Sequence, residues 1–164
     1  MASIRSGIGE NMEDRYLFKA KRLDNREWVQ GALLLHDTDA ATIFNQHPAD
    51  GSLKGFEVDS STICQCTGLK DKNGKLIWEN DIVMFQFDND DCPFPNKDIK
   101  KRIGKVFFSD FRASWSIAMG RNGSKCLNND LFKYVQNGNR VEIISNMIDN
   151  KELLESEDKN ESNY

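Results

Sequence analysis

The residues with the clearest chemical reach are five bases, Lys97, Lys100, Lys101, Arg102 and Lys105, with Asp98 the one acid inside the run. Phe94, Phe107 and Phe108 flank them. Closely spaced cations attract phosphate or an acidic partner, and aromatic rings beside them can stack on bases. The same run also serves to keep a loop solvated.

The remaining candidates read more readily as structure than as catalysis. Asp88, Asp90 and Asp91 form a carboxylate cluster, but the glycine and the distal glutamate of a calcium loop are missing at the required spacing. His36 and His47, the two histidines, sit in a polar connection with no local nucleophile motif beside them, and read as surface residues. Cys64, Cys66, Cys92 and Cys126 include no Cys-x-x-Cys pair, which points to reduced thiols rather than to zinc. Glu79 and Asp81 flank a turn residue, where carboxylates cap backbone amides. Gly7-Ile8-Gly9 has no strand before it and is not a dinucleotide fingerprint. The residues therefore imply no cofactor and no metal.

The elements that must position these groups are strands. At 164 residues, 38% of them hydrophobic, with ten Phe and three Trp, the chain can build a real core. Charge is −4 overall, yet Glu155–Tyr164 holds four of the 26 acids and only one of the 22 bases. The body is thus near neutral, unlike a dedicated non-specific DNA binder. No apolar run reaches membrane-spanning length. Residues 1–11 lack an apolar segment and read as a flexible leader, with Met12 a candidate natural start; residues 156–164 read as an acidic disordered tail.

Between these ends, 15–20 and 28–35 read as an N-terminal hairpin around the turn Asp24–Glu27. Residues 36–55 read as a long connection carrying a short strand at 42–44, followed by extended 56–58. Asp59–Thr62 suits a helical turn, and 63–67 alternates as a strand. Asp71-Lys72-Asn73-Gly74 suits a type I turn with Gly left-handed, and Asn80 suits a corner of positive φ. Residues 82–87 read as the strongest strand. The Pro-containing stretch 88–103 reads as irregular. Strands follow at 104–108, 113–119 and 141–147, with 130–135 either a strand or a helical turn. Short strands with turns every ~8–12 residues predict a mainly β protein with little helix: a small β-barrel preceded by the hairpin region. The layout of 81–147 resembles an SH3-like barrel. The aromatic residues, Trp28, Trp78 and Trp115 among them, read as core.

Several of these segments together resemble the YopX family, small proteins encoded by bacteriophages and prophages. The resemblance covers most of 12–155, with a possible subdivision near 67–70. It is densest in Gln65-x-Thr67-Gly68-Leu69-Lys70-Asp71-x-Asn73-Gly74-Lys75 and Ile77-x-Glu79-x-Asp81-Ile82-Val83. It continues through Tyr16–Ala20, Trp28–Gly31, Glu57–Ile63 and Val141–Asn146. Asn80 and Ser145 stand where the family commonly has Gly, and Cys66 replaces a common aromatic. The resemblance implies a β-rich, phage-derived protein and supplies neither a reaction nor a substrate. The expected function is a non-enzymatic binding or accessory module working through protein contacts in the bacterial cytoplasm. A nucleic-acid module using the 97–105 basic loop is the alternative, and a hydrolase or metal enzyme the third reading. A homo-oligomer is compatible with edge strands of a small β domain.

Overall fold

In the computed structural model, residues 14–86, 101–119, 125–136 and 138–154 are described, with backbone alone for 125–129. The expected leader and tail and the Asp88–Asp91 cluster lie outside these residues. The chain divides into two compact units, 1–68 and 69–164.

The first unit is a sheet of β1 (Phe18–Lys21), β2 (Trp28–Leu35), β3 (Ala41–Gln46), β4 (Leu53–Val58) and β5 (Cys64–Lys70), in the order β4-β3-β2-β1-β5. The β1–β2 hairpin forms as expected, with Phe18 opposite Gly31 and Lys21 opposite Trp28. The 36–55 connection is shorter than the sequence suggests. Its centre is the full strand β3, which pairs with β4 from Gln46↔Leu53 to Ala41↔Val58. Alternation buries Ala20, Val29, Ala41, Ile43 and Val58 on one side as a small core. Gly31 is required for the close approach of β2 and β3, because a Cβ there would lie 2.0 Å from the Phe44 carbonyl oxygen.

Asp59 opens a single 3-10 turn, Ser60–Thr62, by accepting the Ser61 N–H at 3.1 Å. Thr62 Oγ1 then accepts the Lys21 N–H at 2.8 Å, tying the turn to β1. Cys64 and Cys66 point to one face of β5 and are both buried thiols outside any disulfide.

The second unit begins as β5 passes Gly68 and turns into β6 (Leu76–Trp78). Then come β7 (Asp81–Gln86), β8 (Lys101–Ser109), β9 (Ser114–Met119), β10 (Lys125–Asp130), the short helix α1 (Leu131–Gln136) and β11 (Val141–Asn146). Asp130 caps α1 by accepting the Phe132 N–H at 2.9 Å, which decides the strand-or-helix ambiguity of 130–135. The sheet order is β10-β9-β8-β7-β11, all antiparallel. Its core holds Ile77, Val83, Phe85, Val106, Ile117, Leu131, Tyr134 and Val141. Phe85 and Tyr134 meet edge to face, with centroids 5.1 Å apart.

The mainly β class is observed, as two antiparallel sheets. No ladder among the described residues joins β10 to β11, so the closed barrel expected from turn spacing is not formed there. Short strands at regular spacing suit sandwiches, open sheets and barrels alike. The loop expected to end at 103 is also shorter, because β8 begins at Lys101. Gln86, Phe85 and Met84 offer ladder partners to Lys101, Arg102 and Ile103, and polar side chains sit in a strand whose face meets solvent.

Candidate binding surfaces

The densest sequence segment is turn chemistry, and the geometry makes its polar residues structural. Asp71 is 2% exposed, and its Oδ1 accepts the N–H groups of Asn73 and Lys75, each at 2.9 Å. Its Oδ2 accepts the Ile143 N–H at 3.1 Å, on a strand 72 residues further along. Lys72 N–H donates to the Val141 carbonyl at 2.9 Å beside it. One carboxylate thus closes the hairpin and fastens β11. Gly74 has φ +79 and Asn80 φ 65, the left-handed conformations their positions predict. Asp81 Oδ2 accepts the Trp78 N–H at 2.8 Å, so this carboxylate caps the corner.

The basic run does not form one patch. Lys97 and Lys100 lie outside the described residues. Lys101, Arg102 and Lys105 lie on β8, where the two-residue period sends Lys101 and Lys105 to one face and Arg102 to the other. A sequence count of bases cannot see this separation.

Lys101 instead joins cations from other elements. It lines a groove of about 180 Å³ with Lys72 from the β5–β6 turn, Arg140 before β11, Gln86 and Glu142. Lys72 Nζ is ion-paired with Glu142. Arg140 is held by its N–H, which donates to the Tyr134 carbonyl at 2.9 Å, and by its guanidinium, 5.4 Å from the Tyr134 ring centre. Asn139, at φ 37, donates through Nδ2 to the Lys70 carbonyl at 2.9 Å and braces the approach. With three cations to one carboxylate, the groove attracts anions. Lys72 and Arg140 were not legible as partners of Lys101, being 29 residues before it and 39 after it in the chain.

The other residues with candidate chemistry stay apart. His36 Nε2 is 2.8 Å from Thr42 Oγ1. His47 Nδ1 accepts the Ala49 N–H at 3.3 Å and lies 3.4 Å from Asp50 Oδ1. The Asp50 carboxyl is held below its ordinary value, chiefly by the Ser52 hydroxyl and then by the Ser52 N–H. Among the described residues, no group of three or more His, Cys, Asp or Glu is placed to hold a metal ion. No helix among them is long and apolar enough to cross a membrane.

One surface departs from the expectation that the aromatic residues are core. The β8–β9 hairpin carries Phe111 at its tip, 93% exposed, with Phe108 44% exposed. Phe108 lies edge to face against Trp115, centroids 5.3 Å apart, and Trp115 packs on the second core. The available signal was an aromatic inside the turn Ser109-Asp110-Phe111-Arg112, where burial is hard to arrange.

The chain is similar in structure to the crystal structure of protein EF1440 from Enterococcus faecalis, with 19% identity, a TM-score of 0.49, and 84% of this chain and 96% of that one covered. No curated protein matches the chain. The family described as YopX protein matches residues 17–155, which include the turn segment 65–83 and the β11 strand it fastens. The chain belongs to the YopX family.

Proposed function

We propose that the protein is a non-enzymatic binding or accessory module that acts through protein contacts. The observation that carries this reading is the β8–β9 hairpin, which exposes Phe111 to 93% at its tip and Phe108 to 44% on its strand. Exposed aromatic residues beside polar ones mark interaction surfaces, and here Asp110 and Arg112 flank Phe111 in the turn. Burying a phenylalanine ring on a partner contributes about 2–3 kcal/mol. Phenylalanine is among the residues enriched at the cores of protein interfaces.

The test is a pull-down from bacterial lysate with the wild type and Phe111→Ser side by side. The reading expects a protein captured by the wild type and lost from the variant, with unchanged circular dichroism. Equal capture by both removes the hairpin from the reading. Robust turnover on a nucleotide, ester or peptide panel overturns its non-enzymatic part.

The second unit further supports an SH3-like reading of its topology: a four-strand meander, a short helix, and a last strand returned beside the first. That is an argument about fold alone. We place the protein in the cytoplasm of a bacterium carrying a phage or prophage, on the family's phage association.

The groove lined by Lys72, Lys101 and Arg140 favours a second reading, contact with nucleic-acid phosphate. It requires salt-dependent DNA binding that weakens when Lys101 and Arg140 become Glu. A flat titration at low salt ends it.

A further inference from the structure

In the first unit, β4 stands at the end of the sheet. The far end of its outer edge is covered. Val58 bridges Arg22, the Leu23 N–H donates to the Glu57 carbonyl at 3.0 Å, and the Asp59 N–H to the Lys21 carbonyl at 2.8 Å. In an antiparallel strand, alternate residues send both backbone groups to the same side. Glu57 faces away from β3, so Gly55 and Leu53 do too. The chain leaves this edge after Leu23, because the Arg26 N–H bonds back to the Arg22 carbonyl at 3.1 Å. Gly55 and Leu53 therefore direct their N–H and C=O groups outward, with no backbone partner among the described residues. A concavity of about 550 Å³ runs alongside, lined by Arg22, Leu23, Asp24, Lys54, Phe56 and Glu57 among others. Leu53 is 75% and Leu23 56% exposed at its borders.

We propose that this edge accepts an extended acidic peptide segment as an added β-strand. Unpaired strand edges are templates for pairing, with the backbone supplying affinity and the side chains the choice of partner. The bases and acids of this lining balance in number, but Glu57 lies at the covered end of the edge, where its carbonyl accepts the Leu23 N–H, so the charge beside the open residues decides the occupant. Arg22 is engaged by Asp24 through two hydrogen bonds. Lys54, by contrast, has no carboxylate partner among the described residues. Its Nζ lies 5.2 Å from the centre of the Phe56 ring, which Arg22 covers at 4.4 Å. An acidic residue opposite Lys54 on the added strand would complete a cross-strand ion pair. A second copy of the chain is disfavoured, because pairing Leu53 and Gly55 with their own counterparts sets Lys54 against Lys54. Lysine on an edge is a common guard against such self-pairing.

This inference deepens the binding-module reading and rests on it, but on a face other than the hairpin. The experiment is an NMR titration of the isotope-labelled full chain with three synthetic probes. One is a short peptide alternating valine and threonine about a central glutamate. The second has lysine at its centre, and the third is the glutamate peptide with its backbone amides N-methylated. The glutamate peptide should shift the Gly55 and Leu53 amides and slow their hydrogen exchange. The lysine peptide should bind about fivefold more weakly, the ratio set by one cross-strand charge pair. The N-methylated peptide should not bind. Lys54→Glu, an exposed change, should invert the charge preference. Unmoved Gly55 and Leu53 amides, equal binding of both charges, or concentration-dependent dimerisation protecting these amides in the absence of peptide each overturn the inference. Loss of capture by Phe111→Ser alongside a failed peptide titration would leave the hairpin reading standing and remove this one alone.

Discussion

The first unit packs its sheet on Ala20, Val29, Ala41, Ile43 and Val58, while the second surrounds the Phe85–Tyr134 pair with six further buried side chains. The contrast is one of side-chain volume. Alanine and valine each bury less apolar area than phenylalanine or tyrosine. In the first unit β4 stands at the end of the sheet with part of its outer edge open. The second core includes aromatic residues and a capped helix, α1, packed against it. Its exposed chemistry lies at turns and strand ends: the groove of Lys72, Lys101 and Arg140, and the tip of the β8–β9 hairpin.

The comparison can be broken most directly at the cores. Phe85→Ala removes a fully buried ring and should destabilise the second unit by about 4 kcal/mol. Ile43→Ala, equally buried, should cost the first unit about 3 kcal/mol. Urea unfolding with hydrogen-exchange readout assigns each loss to its unit, and the reverse ranking would contradict the volume argument. Next in size is Asp71→Ala. It strands the amides of Asn73, Lys75 and Ile143 and should cost about 3 kcal/mol, with early exchange along β11 as its signature. A loss confined to the 71–75 turn would show that the bond to Ile143 contributes nothing.

The smallest effect sharpens the first unit. The Asp59 carboxyl is lowered from 3.8 to about 2, first by the Ser61 hydroxyl, then by the Arg26 guanidinium at 2.7 Å and the Ser61 N–H. A depressed carboxyl stabilises the fold above its unfolded value and loses that contribution as pH falls through its folded value. Melting temperature followed from pH 5 down to pH 2 should therefore fall for the wild type more than for Asp59→Asn, and the two curves should converge at the acid end. Parallel curves would show that Asp59 acts as a cap without its charge.

Much of the fold was legible because turns are local. Asp71, Asn73, Gly74 and Asn80 announce their conformations through residue type, and the structure gives Gly74 and Asn80 the positive φ they are suited to. Alternation likewise located β2, β7, β8 and β9 to within a few residues, but polar residues concealed the start of β8 at Lys101 and the whole of β10. The candidate surfaces were less legible. The run of bases was visible, but a count along the chain carries no information about faces, and β8 divides Arg102 from Lys101 and Lys105. Residue type alone assigns Phe111 to the core, and only its place at a hairpin tip argues otherwise.

By itself the sequence determined the β class, the turns and the family, since all three depend on residue type at short spacing. Tertiary structure alone decided which strands stand at the edges, that the described strands form two sheets without barrel closure, and that Asp71 holds β11. It alone brought Lys72 and Arg140 to Lys101 and left Gly55 and Leu53 facing outward. These depend on pairings between residues far apart in the chain, which the register of the folded sheets determines and local residue types do not.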